Sequence, residues 1–215
     1  MRSVLRMPLR RPIARRQRGA HPLLHVMLAI DIVRFTSRDE AMQIYLREVM
    51  YGIVEEAYVT ARVGRRRIRL EDRGDGIFMV VGPRTGLDVV LSLLVQSIRD
   101  EIRAHNRTAV PEARIQLRMA LHAGFLHEDA HGVAGTSVNN LFRLLEAPVM
   151  KDRLAYAGTD FALVISEYVY EAAIGYHLIE AADFEMINVE VKETRTRAWL
   201  WMAPAEPWPR LAGHA

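Results

Sequence analysis

Two aspartates, Asp31 and Asp75, sit at the edges of apolar runs. The first closes Leu28-Ala29-Ile30-Asp31-Ile32-Val33-Arg34-Phe35-Thr36, and the second lies in Glu71-Asp72-Arg73-Gly74-Asp75-Gly76-Ile77-Phe78-Met79-Val80. Such runs read as buried strands. A carboxylate at a strand edge is costly to desolvate unless positive charge meets it, and nothing local to either aspartate covers it completely. Hard divalent cations held by both would account for the arrangement, since Mg²⁺ is bound through one or two carboxylates plus substrate phosphates. The chemistry expected of such a pair is that of a nucleotide-handling enzyme. A second constellation lies further on. Asn139 and Arg143 are four residues apart in a helical stretch, so both project from one helix face.

The elements that must position these groups can be read from periodicity. A strand is expected over 25–33, then a capping box in which Ser37 stands three residues before Glu40. Met42, Tyr45, Leu46, Val49, Ile53 and Ala57 recur at helical spacing up to Val63. Residues 65–71 and 77–81 flank Gly74-Asp75-Gly76 and predict a hairpin with Asp75 at its tip, near Asp31. A helix is expected over 86–106, a strand over 113–122, a loop over 124–135 and a helix over 136–147. A strand over 161–165, a short helix from Ser166 to Ala173, and closing strands over 184–191 and 196–201 complete the pattern. Strand, helix, strand, strand, helix, strand is the order of a ferredoxin-like split βαβ sandwich of α+β class.

The chain has 215 residues, half of them apolar, enough for one domain over 23–203 with appendages. It has no cysteine, which excludes disulfides and thiolate metal sites and is compatible with a reducing cytoplasm. No apolar run is long enough to cross a bilayer, so a soluble, cytoplasmic protein is expected. The net charge of +3 is concentrated at the start, where Arg2, Arg6, Arg10, Arg11, Arg15, Arg16 and Arg18 occur without an acid. A nucleic-acid arm, a membrane-surface anchor or a transit peptide would each fit. Pro8 and Pro12 favour a disordered leader over 1–22, and no nucleic-acid partner is expected. The proline-rich stretch 204–215 reads as a flexible tail.

Four segments in order carry a resemblance: Asp31-Ile32-Val33-Arg34-Phe35-Thr36, Gly74-Asp75-Gly76, Arg118-Met119-Ala120-Leu121-His122-Ala123-Gly124, and Val138-Asn139-Asn140-Leu141-Phe142-Arg143-Leu144. Together they resemble the class III nucleotidyl cyclase catalytic domain over about 25–202. The resemblance implies a head-to-tail homodimer with active sites at the interface. It also implies attack of a ribose 3′ hydroxyl on the α-phosphate, releasing pyrophosphate. Asp31 and Asp75, helped by the backbone carbonyl of Ile32, would hold a pair of Mg²⁺ or Mn²⁺ ions. Asn139 would orient the ribose and Arg143 would neutralise the phosphoryl group in flight, both from the other subunit. Arg118 matches an arginine that contacts the polyphosphate, and the amides after Asp31, through Phe35 and Thr36, would extend that cradle.

Base selection departs from the adenylate pattern. Glu71 stands where adenylate cyclases of the family carry lysine and guanylate cyclases carry glutamate. Gly132, at the partner position, matches neither group. The chain also resembles stand-alone bacterial cyclases of the Pycsar antiphage type, which make cyclic UMP or cyclic CMP for a downstream effector. In those a bulky side chain on the first helix shortens the base pocket. Tyr51 is the candidate here, with Tyr45 or Met50 as substitutes, and Arg73 is placed to reach the base or pair with Glu71. The expected order of substrates is UTP, CTP, GTP, ATP. A catalytically decayed nucleotide-binding dimer module is the alternative. His122 reads as a satisfied core histidine, and the loop cluster His127, Glu128, Asp129 and His131 as solvent-facing.

Overall fold

The computed structural model describes residues 23–129 and 132–203. The basic segment 1–22, the tail 204–215 and His131 lie outside the described residues.

β1 (Leu24–Ile32) is the centre of the molecule. It pairs antiparallel with β3 (Gly76–Val81) on one side and with β4 (Leu117–Phe125) on the other. β2 (Ile68–Asp72) pairs antiparallel with β3, and β7 (Phe161–Ser166) runs parallel to β4. β8 (Glu185–Val191) and β9 (Thr194–Met202) complete a seven-stranded sheet of order β2-β3-β1-β4-β7-β9-β8. Its first four strands have the order and antiparallel pairing of the split βαβ sandwich, as expected.

The alternation of a pleated strand decides which helices cover which face. Leu28, Ile30, Ile32, Met79, Leu117 and Met119 pack with α1 (Glu40–Thr60), α2 (Gln96–Thr108) and α5 (Glu167–Gly175). Met27, Ala29, Phe78, Ala120 and Val164 face the other way, onto α3 (Thr136–Leu145) and α4 (Pro148–Ala157). Asp31 and Arg118 keep the alternation of Ala29 and Ala120 and so point to the α3/α4 face. Among the described residues no helix is long and apolar enough to cross a membrane.

Several expectations are corrected. The first helix is capped by Asp39, whose Oδ1 accepts the Met42 amide at 2.8 Å. Ser37 instead bonds the Arg34 carbonyl at 2.8 Å within a 3₁₀ turn over Phe35–Ser37. The segment before α2 winds as a π-helix over Val89–Val95. The supposed loop 124–135 contains a hairpin, β5 (His127–Asp129) with β6 (Gly132–Ala134), in which Glu128 pairs with Arg69 at 2.9 Å. α4 was not expected at all. His122 is half-buried, but its Nδ1 has no hydrogen-bond partner among the described residues; burial pushes its pKa down and favours the neutral ring.

Candidate active site

Strand register brings the first carboxylate to its partner. Asp31 lies opposite Gly76 on one side and opposite Arg118 on the other. Arg118 grips it with a two-pronged bond, Nε to Oδ1 at 2.8 Å and Nη2 to Oδ2 at 2.6 Å. Nothing local in sequence covers Asp31, as expected; the positive charge that meets it comes from Arg118, far away along the chain. The two side chains are 14 and 16 % exposed, so solvent screens the pair only in part. Burial pushes the Asp31 carboxyl above the usual range, Arg118 pulls it back down, and the charge of Asp75 pushes it up again. Lys151 of α4 also pulls it down, a contribution that required α4 to be seen.

Asp75 reaches the same strand end through the hairpin tip. Its carbonyl accepts the Ile32 amide at 2.9 Å, while Gly74 takes a positive φ of 83° and Arg73 bonds back to Gly76 at 2.9 Å. Gly76 is required by contact, since a Cβ there would collide with the Ile30 carbonyl oxygen. Gly76→Ala is expected to cost about 1–3 kcal/mol in chemical denaturation by overpacking, with loss of activity as Asp75 moves.

Beside Asp75 lies an open cavity of about 490 Å³ that Phe35, Thr36, Arg47 and Arg73 help to line. The amides of Ile32 and Val33 are taken by the Asp75 and Gln116 carbonyls. An anion cradle after Asp31 therefore falls to residues 34–36, where Arg34 adopts a positive φ of 56°. Arg47 was missed in the sequence. It binds Asp72 (2.5 Å) and the Gly74 carbonyl, tying α1 to the hairpin tip, and holds the Asp72 carboxyl well below its usual range.

Asn139 and Arg143 stand elsewhere. The start of α3 packs on Gly124, where an added Cβ would strike Ser137 Oγ, and Gly124 is at the far end of β4 from Arg118. At strand rise this is ~20 Å from Asp31. Asn139 is exposed, and Arg143 reaches Glu193 at 3.3 Å and Glu146 at 3.6 Å. One chain thus brings together Asp31, Asp75, Arg118, Phe35 and Thr36, and keeps Asn139 and Arg143 apart from them.

Glu71 lies on the α3/α4 face, paired in register with Phe78. Arg69 Nε is 3.0 Å from its Oε1 and Arg73 Nη2 is 2.9 Å from its Oε2. The Arg73 guanidinium also lies over the rings of Phe78 (5.4 Å) and Phe142 (5.3 Å). Gly132 is the neighbour of this cluster, since a Cβ on it would be 3.6 Å from Glu71 Oε1. Glu71 and Gly132 therefore converge. Tyr51 does not join them: it packs on the α1/α2 face, is hydrogen-bonded with Asp72, and lies under the Arg47 guanidinium at 5.8 Å. Met50 is fully buried core, and Tyr45 is exposed with its ring 6.3 Å from His105.

The donor set suits a hard cation better than a transition metal. Two carboxylates with the nearby Ile32 carbonyl leave most positions to water and phosphate oxygens, as Mg²⁺ or Mn²⁺ prefers. Among the described residues no cluster of three or more histidine, cysteine or acidic side chains forms a self-sufficient metal cage. The guanidinium on Asp31 already shows a cation held at this carboxylate.

No family model matches the chain, and no curated protein matches it. Solved structures do. The adenylate/guanylate cyclase/hydrolase from Silicibacter pomeroyi is 18% identical with a TM-score of 0.63, covering 86% of this chain and 100% of its own. The guanylyl cyclase Cya2 is 17% identical with a TM-score of 0.59, covering 86% and 93%. The adenylyl cyclase CyaB from P. aeruginosa is 14% identical with a TM-score of 0.57, covering 90% and 98%. The α+β fold of this chain is thus that of class III nucleotidyl cyclase catalytic domains.

Proposed function

We propose that the chain is a nucleotidyl cyclase, converting a nucleoside triphosphate to its 3′,5′-cyclic monophosphate and pyrophosphate at the interface of a homodimer. The observation that carries this reading is the division of chemical groups between two ends of one sheet. Asp31 and Asp75 occupy one end, Asn139 and Arg143 the other. A head-to-tail pair of chains joins one chain's carboxylates to its partner's Asn and Arg. Bound Mg²⁺ or Mn²⁺ would make the attacking hydroxyl more acidic and neutralise phosphate charge. Asp31, Asp75 and the Ile32 carbonyl would hold the ions. Arg118 and the amides near Phe35 and Thr36 would grip the triphosphate, Asn139 would align the ribose, and Arg143 would meet the charge that develops in flight.

UTP is the substrate we favour. Arg69 and Arg73 both pair with Glu71; turned toward a base, the three would offer a donor, an acceptor and a donor. The uracil edge, an N–H between carbonyl oxygens, is their complement. Guanine can use Glu71 through its own N–H groups, which makes GTP the second reading, but its amino group would face a guanidinium. Cytosine and adenine lack the ring N–H. Tyr51 meets a base held at Glu71 only across the dimer, because within one chain the two occupy opposite faces. A role in antiphage signalling through a cyclic-nucleotide effector, and a cytoplasmic location, complete the proposal.

The test is incubation of the purified protein with each of the four common ribonucleoside triphosphates and Mn²⁺, followed by chromatography of the products. Cyclic UMP is expected to dominate. Cyclic GMP alone would overturn the uracil reading, and no product from any substrate would favour a binding module. Tyr51→Ala is expected to raise purine turnover relative to UTP by roughly tenfold. An unchanged ratio would remove Tyr51 from the base pocket.

A further inference from the structure

Among the described residues no hydrogen bond or ion pair holds the Asp75 carboxylate, so its position is inherited from the backbone of the hairpin tip. Within the sheet that backbone is fixed at two places. The Ile32 amide bonds the Asp75 carbonyl and the Arg73 amide bonds the Gly76 carbonyl, each at 2.9 Å. Between them stands Gly74, at a positive φ of 83°, the residue of the turn with the most backbone freedom.

Asp72 and Arg47 remove that freedom. Asp72 Oδ1 accepts the Gly74 amide at 2.6 Å, so the side chain closes the turn two residues ahead of itself. Arg47 donates to the Gly74 carbonyl and to both oxygens of Asp72, at 3.2 Å to Oδ1 and 2.5 Å to Oδ2. Both polar groups of the Gly74 backbone are thereby taken. Tyr51, one turn further along α1, lies under the same guanidinium at 5.8 Å. α1 itself starts just after the 3₁₀ turn whose Phe35 and Thr36 line the cavity beside Asp75. One helix therefore joins the two lips of that cavity.

The Arg47 and Asp72 side chains are 31 and 49 % exposed, and ion pairs so open to solvent add little to folding stability. Position is a different matter, because a shift of about 1 Å at a reacting group can slow a reaction roughly 10²-fold. We infer that Arg47 is a positioning residue, acting through Asp72 and the Gly74 backbone to hold Asp75 where it meets a divalent cation. The inference deepens the proposed cyclase reading and rests on it for the cation.

The test compares Arg47→Gln with the wild type and with Arg153→Gln, which breaks another exposed pair, Arg153 with Glu185 at 2.6 Å. Both variants are expected to melt within roughly 4 °C of the wild type. In the metal-free full chain, hydrogen exchange of the Arg73 and Gly74 amides is expected to quicken about tenfold in Arg47→Gln alone. Mn²⁺ affinity, read from the paramagnetic resonance of the free ion, is expected to weaken roughly 10-fold or more in Arg47→Gln and to hold in Arg153→Gln, with Asp75→Asn as the zero. Unaltered exchange at the tip would overturn the inference whether or not the protein is a cyclase. Faster exchange with unchanged Mn²⁺ affinity would overturn it too, and so would a much larger fall in melting temperature or equal changes in Arg153→Gln. A wild type without Asp75-dependent Mn²⁺ binding would overturn the cation reading itself and leave Arg47 a structural tie.

Discussion

Asp31→Ala and Arg143→Ala are each expected to lose activity by 10²–10³-fold or more, the scale of removing one electrostatic contact at a reacting phosphoryl group. Mixed after co-expression, they should recover about a quarter of the wild-type activity. The figure follows from symmetry: half of randomly assorted dimers are mixed, and each mixed dimer has one site with both groups and one with neither. The physical basis is the ~20 Å along β4 that separates the level of Asp31 from the start of α3. The Arg143 guanidinium is engaged away from Asp31, at Glu193 in the turn between β8 and β9 and at Glu146. Turnover of the separate and mixed proteins, with dimer content followed by light scattering, is the measurement. Rescue absent from mixtures shown to contain heterodimer would mean that the two ends never meet.

Much of the fold was legible because the strands announce themselves. Every residue of β3 and β7 is buried, and continuous runs such as Ile77–Val81 and Phe161–Ser166 have no other reading in a chain with helices on both sides. Gly74-Asp75-Gly76 was legible for a similar reason, since a positive φ at Gly74 and a blocked Cβ at Gly76 leave few other residues possible. α4 escaped notice because only Met150 and Leu154 are buried in it, too few to make a period. The β5–β6 hairpin escaped because its strands are only three residues each, too short for an alternating pattern to show: Val133 packs against the core, while Glu128 pairs with Arg69. The cap moved from Ser37 to Asp39 because a 3₁₀ turn, invisible in a hydrophobicity pattern, consumed Ser37 first.

The candidate site was legible as a set of residues, though not in its long-range pairings. Asp31, Asp75, Asn139 and Arg143 stood out by type and spacing. Arg73 on Glu71, two residues apart, was among the pairings open to the sequence, whereas Arg47 on Asp72 and Arg118 on Asp31 depend on strand register and on α1 crossing the hairpin tip, which no local window of sequence contains. The separation of Tyr51 from Glu71 is of the same kind. It follows from β2 alternation, with Asp72 turned to α1 and Glu71 to α3.

Arg118→Gln should separate the structural from the catalytic use of that guanidinium. With the two-pronged bond gone, Asp31 is left as a largely buried carboxylate with the like charge of Asp75 and the opposite charge of Lys151 nearby, and a loss of about 2–4 kcal/mol in urea denaturation is expected. Activity should fall as well, because the same side chain is the proposed grip on the triphosphate. Arg118 holds both oxygens of Asp31, so a divalent cation at that carboxylate competes with it. In the wild-type chain Mn²⁺ binding without nucleotide therefore has to displace Arg118, and in the variant it does not. Added Mn²⁺ should raise the melting temperature of Arg118→Gln more than that of the wild type, since stabilisation grows with the logarithm of ligand over its dissociation constant. The control is Asp31→Asn/Arg118→Gln, in which the extra gain should vanish. Equal increments in wild type and Arg118→Gln would show that arginine and cation do not compete, and would move the proposed cation off Asp31.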